Sequence, residues 1–334
     1  MTATMASSHS RLLFRCVSLS IVLACVSMTA CVRASALTYG WQKVEGIDLF
    51  YREGGPRDAP TLVFLHGNPS SSIMYEKVME QLIATTHLHV IAMDYPSFGY
   101  SDAPDRSRYT YTFDNLAKTV TAFLAARDIR RYGLYMQDYG VPVGFRLIVN
   151  APSAVSFLIV QNGVIHLDGF PAAQDNNGEL QKHWRNRNSE LDARRAKYRL
   201  GLPYVDAASF AKVGDGANPD AMLVMVESAK RPGVSDGRDD LWFDYGSNVQ
   251  RYPIWQDALK KLTVPMLVIW GSHDDFFTTP GALAYLRDAP QAEIHIIDSV
   301  HFATMDKPDA VASLVSGFVD RNAATIGSRS MNAP

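Results

Sequence analysis

Cysteine is scarce in this chain, and its position excludes several kinds of site. All three cysteines (Cys16, Cys25 and Cys31) lie within the first 31 of 334 residues. The rest of the chain has no thiol for a disulfide framework, a cysteine nucleophile or a thiolate metal site. An excess of one charge is also lacking. The formal net charge is -2, so we expect no basic surface for nucleic acid.

A long hydrophobic run is missing as well, although the N-terminus carries a short one. Arg11 and Arg15 border an apolar stretch over residues 16–24, which is shorter than the ~20 residues needed to span a bilayer. Small residues follow, and residues 34–36 are Ala-Ser-Ala. This pattern is typical of a secretory signal peptide cleaved after an A-x-A site. We therefore predict that residues 1–36 are a signal peptide.

We therefore expect an exported protein, either periplasmic or secreted. The leader also leaves open that the protein is exported as a lipoprotein. Residues 28–31 are Met-Thr-Ala-Cys, which resembles the lipobox of a bacterial lipoprotein. In that case a lipid on Cys31 would hold the protein at a membrane. Otherwise we expect no membrane contact.

The rest of the chain divides into an interrupted core. In residues 37–164 and 251–323, short apolar runs alternate with amphipathic segments, a pattern that predicts a parallel sheet with helices on both faces. Residues 165–250 are polar, rich in Arg, Asp and Asn, and break this alternation, so we predict an inserted, mainly helical cap. The core is predicted to resume with a helix over residues 252–262. Residues 324–334 are predicted to be a disordered tail.

Asp138 is the most informative residue. The segment from Tyr132 to Gly144 predicts a strand, a sharp turn and a helix that opens on small residues, which is the context of a nucleophile elbow. A serine at such a turn attacks a carbonyl carbon. A carboxylate can instead displace a leaving group from a saturated carbon, and water then cleaves the resulting ester at the carbonyl of the aspartate. We predict that Asp138 is a nucleophile; the structural alternative is a helix cap or turn former.

Two more polar residues follow predicted strands, at the sheet edge where α/β proteins bind ligands. Asp274 and His301 come after Asp138 and give the order nucleophile, acid, histidine. His301 is the predicted base that activates water, and Asp274 orients its imidazole. Asp275 is a competitor for the acid position.

Ester hydrolysis also needs donors for the oxyanion of its tetrahedral intermediate. Backbone N–H groups at loop ends supply such donors. Asn68, just after a predicted strand and a His-Gly pair, and Tyr139, just after the nucleophile, are the predicted donors. Because this machinery and a water molecule suffice, we expect no metal and no cofactor.

Five short motifs follow predicted strands in order: His66-Gly67-Asn68-Pro69, Asp94-Tyr95-Pro96-Ser97-Phe98-Gly99-Tyr100-Ser101-Asp102, Gln137-Asp138-Tyr139-Gly140, Gly271-Ser272-His273-Asp274 and His301-Phe302. With them the chain resembles the epoxide hydrolase and haloalkane dehalogenase branch of the α/β-hydrolases, which uses an aspartate nucleophile, over roughly Trp41 to Asp320. The resemblance implies a mostly parallel eight-stranded sheet with helices on both faces and a helical cap. It also implies hydrolysis of a small hydrophobic epoxide or haloalkane.

The resemblance to haloalkane dehalogenases concerns the site that holds the leaving halide. Those enzymes use an asparagine after His-Gly, which is Asn68 here, and a tryptophan after the nucleophile, where this chain has Tyr139. The sequence also departs from the family's usual residues at Gln137 and Met136. A cap indole is an alternative donor, from one of three residues: Trp184, Trp242 or Trp255.

The resemblance to epoxide hydrolases concerns the cap. Those enzymes donate a hydrogen bond to the epoxide oxygen from cap tyrosines, and Tyr245 lies in a segment similar to the one that carries such a tyrosine. Tyr198 and Tyr204 are candidates for a second one. Epoxide hydrolases usually carry an aromatic residue at the position of Asn68, which counts against this assignment. We nevertheless favour an epoxide hydrolase, with a haloalkane dehalogenase as the alternative.

Two further functions stay open at this stage. Ser101 lies in Gly-Tyr-Ser-Asp-Ala, which imitates the motif of a serine-type esterase. The departures at Met136, Gln137 and Tyr139 would also suit a non-catalytic hydrolase fold that binds a ligand.

Overall fold

The computed structural model describes residues 37–171, 184, 186–200, 214, 216 and 218–331. The predicted signal peptide, Cys31 and Tyr204 lie outside these residues, as does the side chain of Tyr198. None of the described helices is long and apolar enough to cross a membrane.

Eight strands form a single sheet in the order β1-β2-β4-β3-β5-β6-β7-β8. The β1–β2 and β2–β4 pairs are antiparallel and the other neighbours are parallel. The central strands are buried on both faces because helices cover both, which explains their continuous apolar runs. The strands are β1 (Thr38–Val44), β2 (Ile47–Gly54), β3 (Thr61–Leu65), β4 (His89–Met93), β5 (Tyr132–Gln137), β6 (Val155–Gln161), β7 (Met266–Gly271) and β8 (Glu293–Ile297).

Two hydrophobic layers separate the sheet from its helices. Helices α2, α3 and α6 pack on one face, and α1, α9 and α10 on the other. The helices are α1 (Glu76–Thr85), α2 (Phe113–Ala126), α3 (Gly140–Asn150), α4 (Ser189–Leu200), α5 (Pro219–Ala229), α6 (Val234–Lys261), α7 (Thr279–Ala284), α8 (Ala303–Asp306), α9 (Pro308–Arg321) and α10 (Ala323–Met331).

Helix α6 corrects one bound that the sequence analysis predicted. The helix expected over residues 252–262 begins at Val234, so the predicted division at residue 250 falls inside one 28-residue helix that contains Pro253. The helix is continuous because it buries one stripe, at spacings of four and three residues, along its whole length. The stripe consists of Leu241, Tyr245, Asn248, Tyr252, Trp255 and Leu259.

The C-terminal segment is a second correction. The prediction of a disordered tail over residues 324–334 is wrong for its described part, because α10 extends to Met331. Ile326 is only 1% exposed and belongs to the core. Arg131 donates to the carbonyl of Arg329 at 2.8 Å, and the Arg329 guanidinium donates to the carbonyl of Thr263 at 2.8 Å. These contacts fix the helix against the core.

Candidate active site

The turn that carries Asp138 is strained and tightly packed. Asp138 has a φ of 49°, in the left-handed region that a residue with a side chain adopts at a cost of about 1–3 kcal/mol. The turn leads directly from β5 into α3, which begins at Gly140. A Cβ on Gly140 would lie 1.9 Å from the carbonyl oxygen of Leu65, so only glycine lets the helix approach this closely. The packing thereby holds Asp138 at the tip of the turn.

The Asp138 carboxylate lies among hydrogen-bond donors in a buried site. It is 7% exposed, and its Oδ1 accepts the backbone N–H of Asn68 at 2.7 Å. The N–H of Tyr139 also stabilises the charged form. Burial raises the pKa of Asp138 above its usual value, although the charge of His301 and the two N–H donors oppose that rise. The two predicted oxyanion donors therefore already face this carboxylate.

His301 lies opposite, paired with Asp274. Its Nδ1 is 2.8 Å from Asp274 Oδ2, and both side chains are buried. Burial alone would lower the pKa of His301, but the charge and hydrogen bond of Asp274, with the charge of Asp138, raise it above the usual value. The competitor Asp275 is exposed, and Asp274 is the aspartate that contacts the imidazole. The structure thus brings the three predicted triad residues together.

Asn162, which the sequence analysis did not select, links the acid to the nucleophile. Its Nδ2 donates to Asp274 Oδ2 at 2.7 Å, and its Oδ1 accepts the N–H of Gly271 at 3.0 Å. Its carbonyl accepts the N–H of Asp138 at 3.2 Å. Asn162 could have been found from the sequence, because it follows β6, and the end of this strand is the other common position for the triad acid.

Gln137 is the second residue that the sequence analysis left without a role. Its amide Nε2 lies 2.8 Å from Nε2 of His301, the nitrogen that would act as the base. The sequence showed only that Gln137 stands at a position where the family it resembles usually has a histidine. The contact joins residues 164 positions apart, which no local pattern could reveal.

Tyr245 reaches the site from α6 and is buried among aromatic rings. Its ring centroid lies 5.9 Å from that of Tyr139, next to the nucleophile, and 4.9 Å from that of Trp184. Burial raises the pKa of Tyr245 well above its usual value, and the charge of Asp138 adds to the rise. The phenol therefore stays protonated and can act as a hydrogen-bond donor.

The structure separates the three candidate indoles. Trp255 packs between Phe145 and Tyr252 in the core, and Trp242 contacts Phe243 and Trp184. Of the three, Trp184 packs against the ring of Tyr245, at a centroid distance of 4.9 Å. Its Nε1 is buried and has no hydrogen-bond partner among the residues that the structure describes. Trp184 is thus the candidate cap donor.

Comparison with known proteins places the chain in a family. Residues 60–308 match the family described as the alpha/beta hydrolase fold. The chain belongs to the α/β-hydrolase family. This α/β-hydrolase is 31% identical over 290 residues to an uncharacterised hydrolase of Saccharomyces cerevisiae, covering 84% of this chain and 96% of that protein. It is 26% identical over 286 residues to a haloalkane dehalogenase of Psychrobacter cryohalolentis, covering 81% and 87%.

Solved structures share the same fold. A haloalkane dehalogenase from Bradyrhizobium elkani superposes on the α/β-hydrolase with a TM-score of 0.69 at 22% identity, covering 86% of this chain and 99% of that one. A Pseudomonas aeruginosa protein for which epoxide hydrolase activity has been suggested gives a TM-score of 0.71 at 20% identity, with 87% and 97% covered. The predicted fold, and the prediction that the protein is a hydrolase, are confirmed.

Ser101 has a structural position in this α/β-hydrolase. Its hydroxyl donates to the carbonyl of Asp94 at 2.7 Å and accepts the N–H of Phe50 at 2.8 Å. It is fully buried, whereas His301 faces Asp274 and Gln137. The hypothesis of a serine nucleophile at Ser101 is therefore wrong.

Proposed function

We propose that this α/β-hydrolase attacks its substrate with Asp138, forms an alkyl ester on that carboxylate, and releases the product with water activated by His301. The favoured substrate is a small hydrophobic epoxide. The observation that carries the proposal is a carboxylate, rather than a hydroxyl, at the tip of the elbow. It lies in a site that keeps both a histidine–aspartate pair and the backbone donors of an oxyanion hole.

In the first step an oxygen of Asp138 bonds to an epoxide carbon while the carbon–oxygen bond of the ring breaks. Because Oδ1 accepts the N–H of Asn68, we assign the attack to Oδ2. Charge then develops on the epoxide oxygen. Tyr245, protonated and beside Tyr139, would pass its proton to that oxygen, so the ring opens to a hydroxyl group rather than a free alkoxide. The carboxylic acid that the second step regenerates then returns a proton to the phenolate.

In the second step water attacks Cγ of the ester while its proton passes to Nε2 of His301. The ester no longer carries the charge of Asp138, which is one of the factors that raise the pKa of His301. Ester formation therefore favours the neutral imidazole that this step needs. The oxyanion develops on Oδ1, which already accepts the N–H of Asn68. When the intermediate collapses, the bond from Cγ to Oδ2 breaks, and the product leaves as an alcohol with the proton that His301 took from water.

Dehalogenation is the second candidate, and one observation favours it. The buried Nε1 of Trp184 lacks a hydrogen-bond partner within the described part of the chain. Together with Asn68, this N–H could bind a departing halide. It would then take the role of the tryptophan that haloalkane dehalogenases carry at the position of Tyr139. The relationship to a haloalkane dehalogenase of Psychrobacter cryohalolentis is in keeping with this alternative.

The intact mass of a His301→Gln variant separates the two substrate classes. Without its base the enzyme is expected to stall at the ester, so an aryl epoxide would add its whole mass. A short bromoalkane would add its alkyl group without bromine. Asp138→Asn is the matched control, which removes the nucleophile and should form no adduct. No adduct from either reagent on His301→Gln would contradict the aspartate-ester mechanism and favour a ligand-binding protein.

We also propose that the protein is exported, on the basis of the leader pattern in residues 1–36. Fractionation of the native host should place it in the periplasm or the medium. A mature N-terminus after Ala36 would support a free protein. A lipid-modified N-terminus at Cys31 would support an anchored one, and a cytoplasmic full-length chain would contradict export.

A further inference from the structure

Gln137 occupies the nitrogen of His301 that must act as the base. Its Nε2 lies 2.8 Å from His301 Nε2, while Nδ1 of the same ring faces Asp274 at 2.8 Å. An amide N–H can donate to a ring nitrogen only when that nitrogen carries no proton. The arrangement therefore corresponds to a neutral imidazole with its proton on Nδ1.

Gln137 Nε2 also donates to the backbone carbonyl of His301, at 3.5 Å, and a second amide shares that carbonyl. Gln161 donates to the backbone carbonyl of His301 at 3.1 Å, and its Oε1 accepts the hydroxyl of Tyr135 at 2.8 Å. Both ends of the Gln161 amide are thus engaged away from the imidazole. Of these two buried glutamines, Gln137 is the one that reaches the ring.

The other end of the Gln137 amide is unusual. Its Oε1 is buried and accepts no hydrogen bond from the described residues. An unpaired buried carbonyl oxygen is costly and needs an explanation.

We propose that Gln137 is a positioning residue for the base. Its N–H donates to Nε2 of neutral His301 in the free enzyme, which holds the ring in the form that the base step needs, and it gives up that nitrogen when the attacking water enters. The bond to Nε2 opposes protonation of the ring. The catalytic part of this inference rests on the proposed function, whereas the contact is a property of the free enzyme.

The groups around His301 define what the Gln137 contact has to oppose. Two carboxylates act on the ring, those of Asp274 and Asp138, and both favour the imidazolium. The other described contacts of the ring are with uncharged groups. They comprise the rings of Phe276, Phe277 and Phe302 and the amide of Gln137.

NMR titration of the nitrogen-15-labelled imidazoles in substrate-free enzyme tests the contact directly. His301→Gln identifies the signal of His301 among the nine histidines by its loss. Gln137→Met keeps the length of the side chain but removes the donor. It should raise the titration midpoint of His301 by about one pH unit, which is the effect of one hydrogen bond. Gln137→Glu should raise it further, because a carboxylate favours the imidazolium.

Gln161→Met is the matched control, because that amide binds the backbone of His301 rather than its ring. It should leave the midpoint unchanged. A midpoint in Gln137→Met equal to that of the wild type would overturn the inference. The wild-type protein gives a test that needs no variant. If its NMR spectrum shows a neutral His301 with the proton on Nε2 rather than Nδ1, the inference is also overturned.

The pH profile of ester hydrolysis then tests the catalytic role. In Gln137→Met, the rise of this rate with pH should move to higher pH, in parallel with the NMR midpoint. An unmoved rate profile with a shifted midpoint would overturn the role in the base step. If the midpoint shifts but no variant forms an ester, the contact between Gln137 and His301 is supported and the proposed function is contradicted.

Discussion

Replacement of Tyr245 by phenylalanine isolates the hydroxyl that the proposed ring opening needs. The ring of Tyr245 contacts Tyr139, Phe113, Trp184 and Phe170 at centroid distances of 4.9–6.4 Å. Phenylalanine keeps these contacts. The free energy of unfolding is therefore expected to change by no more than about 1.5 kcal/mol, the net value of one hydrogen bond.

The effect on ring opening should be much larger. In a buried site, a preorganised donor to a developing oxyanion contributes about 2.7–4 kcal/mol, so its loss slows the step by about 10²–10³-fold. Tyr245 is 5% exposed and lies beside the residue that follows the nucleophile, which fits such a site. Departure of a halide needs no proton donor. The same variant should thus react with a bromoalkane as fast as the wild type.

Rapid quench with mass detection of the ester on Asp138 measures this step apart from hydrolysis. Tyr109→Phe is the control, since Tyr109 is also buried but its hydroxyl contacts that of Thr119 at 3.0 Å. It should slow ester formation from an epoxide far less than Tyr245→Phe does. Ester formation from the epoxide at the wild-type rate in folded Tyr245→Phe would refute the assigned acid.

Three further predictions concern the triad and the core. Asp274→Asn should slow ester hydrolysis by about 10³–10⁴-fold in single-turnover assays, because the imidazole loses its charged partner; a loss below tenfold would contradict its role. Ester formation should fall on acidification at a pH above the usual aspartate pKa, because burial raises the pKa of Asp138; a rate that follows an ordinary aspartate would contradict this. Ile326→Ala should lower the free energy of unfolding by about 2–5 kcal/mol in urea; an unchanged midpoint would mean that α10 does not pack on the core in solution.

Local patterns in the sequence were sufficient to predict the elements that position the triad. The strand, turn and helix predicted from Tyr132 to Gly144 are present in the structure, as β5, the turn at Asp138 and the start of α3. Strand ends determine where Asp138, Asp274 and His301 lie, so the order of strands and polar residues along the chain was enough to bring the three together.

Features that depend on tertiary contacts could not be predicted in the same way. Pro253 suggests a break in a helix, yet the buried stripe of α6 outweighs the one hydrogen bond that a proline removes. Ile326 is an isolated apolar residue in a polar segment, and only its pocket in the core shows why a helix forms there. The approach of Gln137 to His301 and of Trp184 to Tyr245 joins distant parts of the chain.

The continuity of α6 has a consequence for how the substrate range of this enzyme can change. A helix of 28 residues is a rod of about 42 Å. Its C-terminal part is anchored in the core through Trp255 and Leu259, and Tyr245 is part of the same rod. Residues 165–232 precede it, separated by Gly233 with a φ of 78°. Exchange of that segment for another could therefore change the substrate range while Tyr245 keeps its place beside Tyr139.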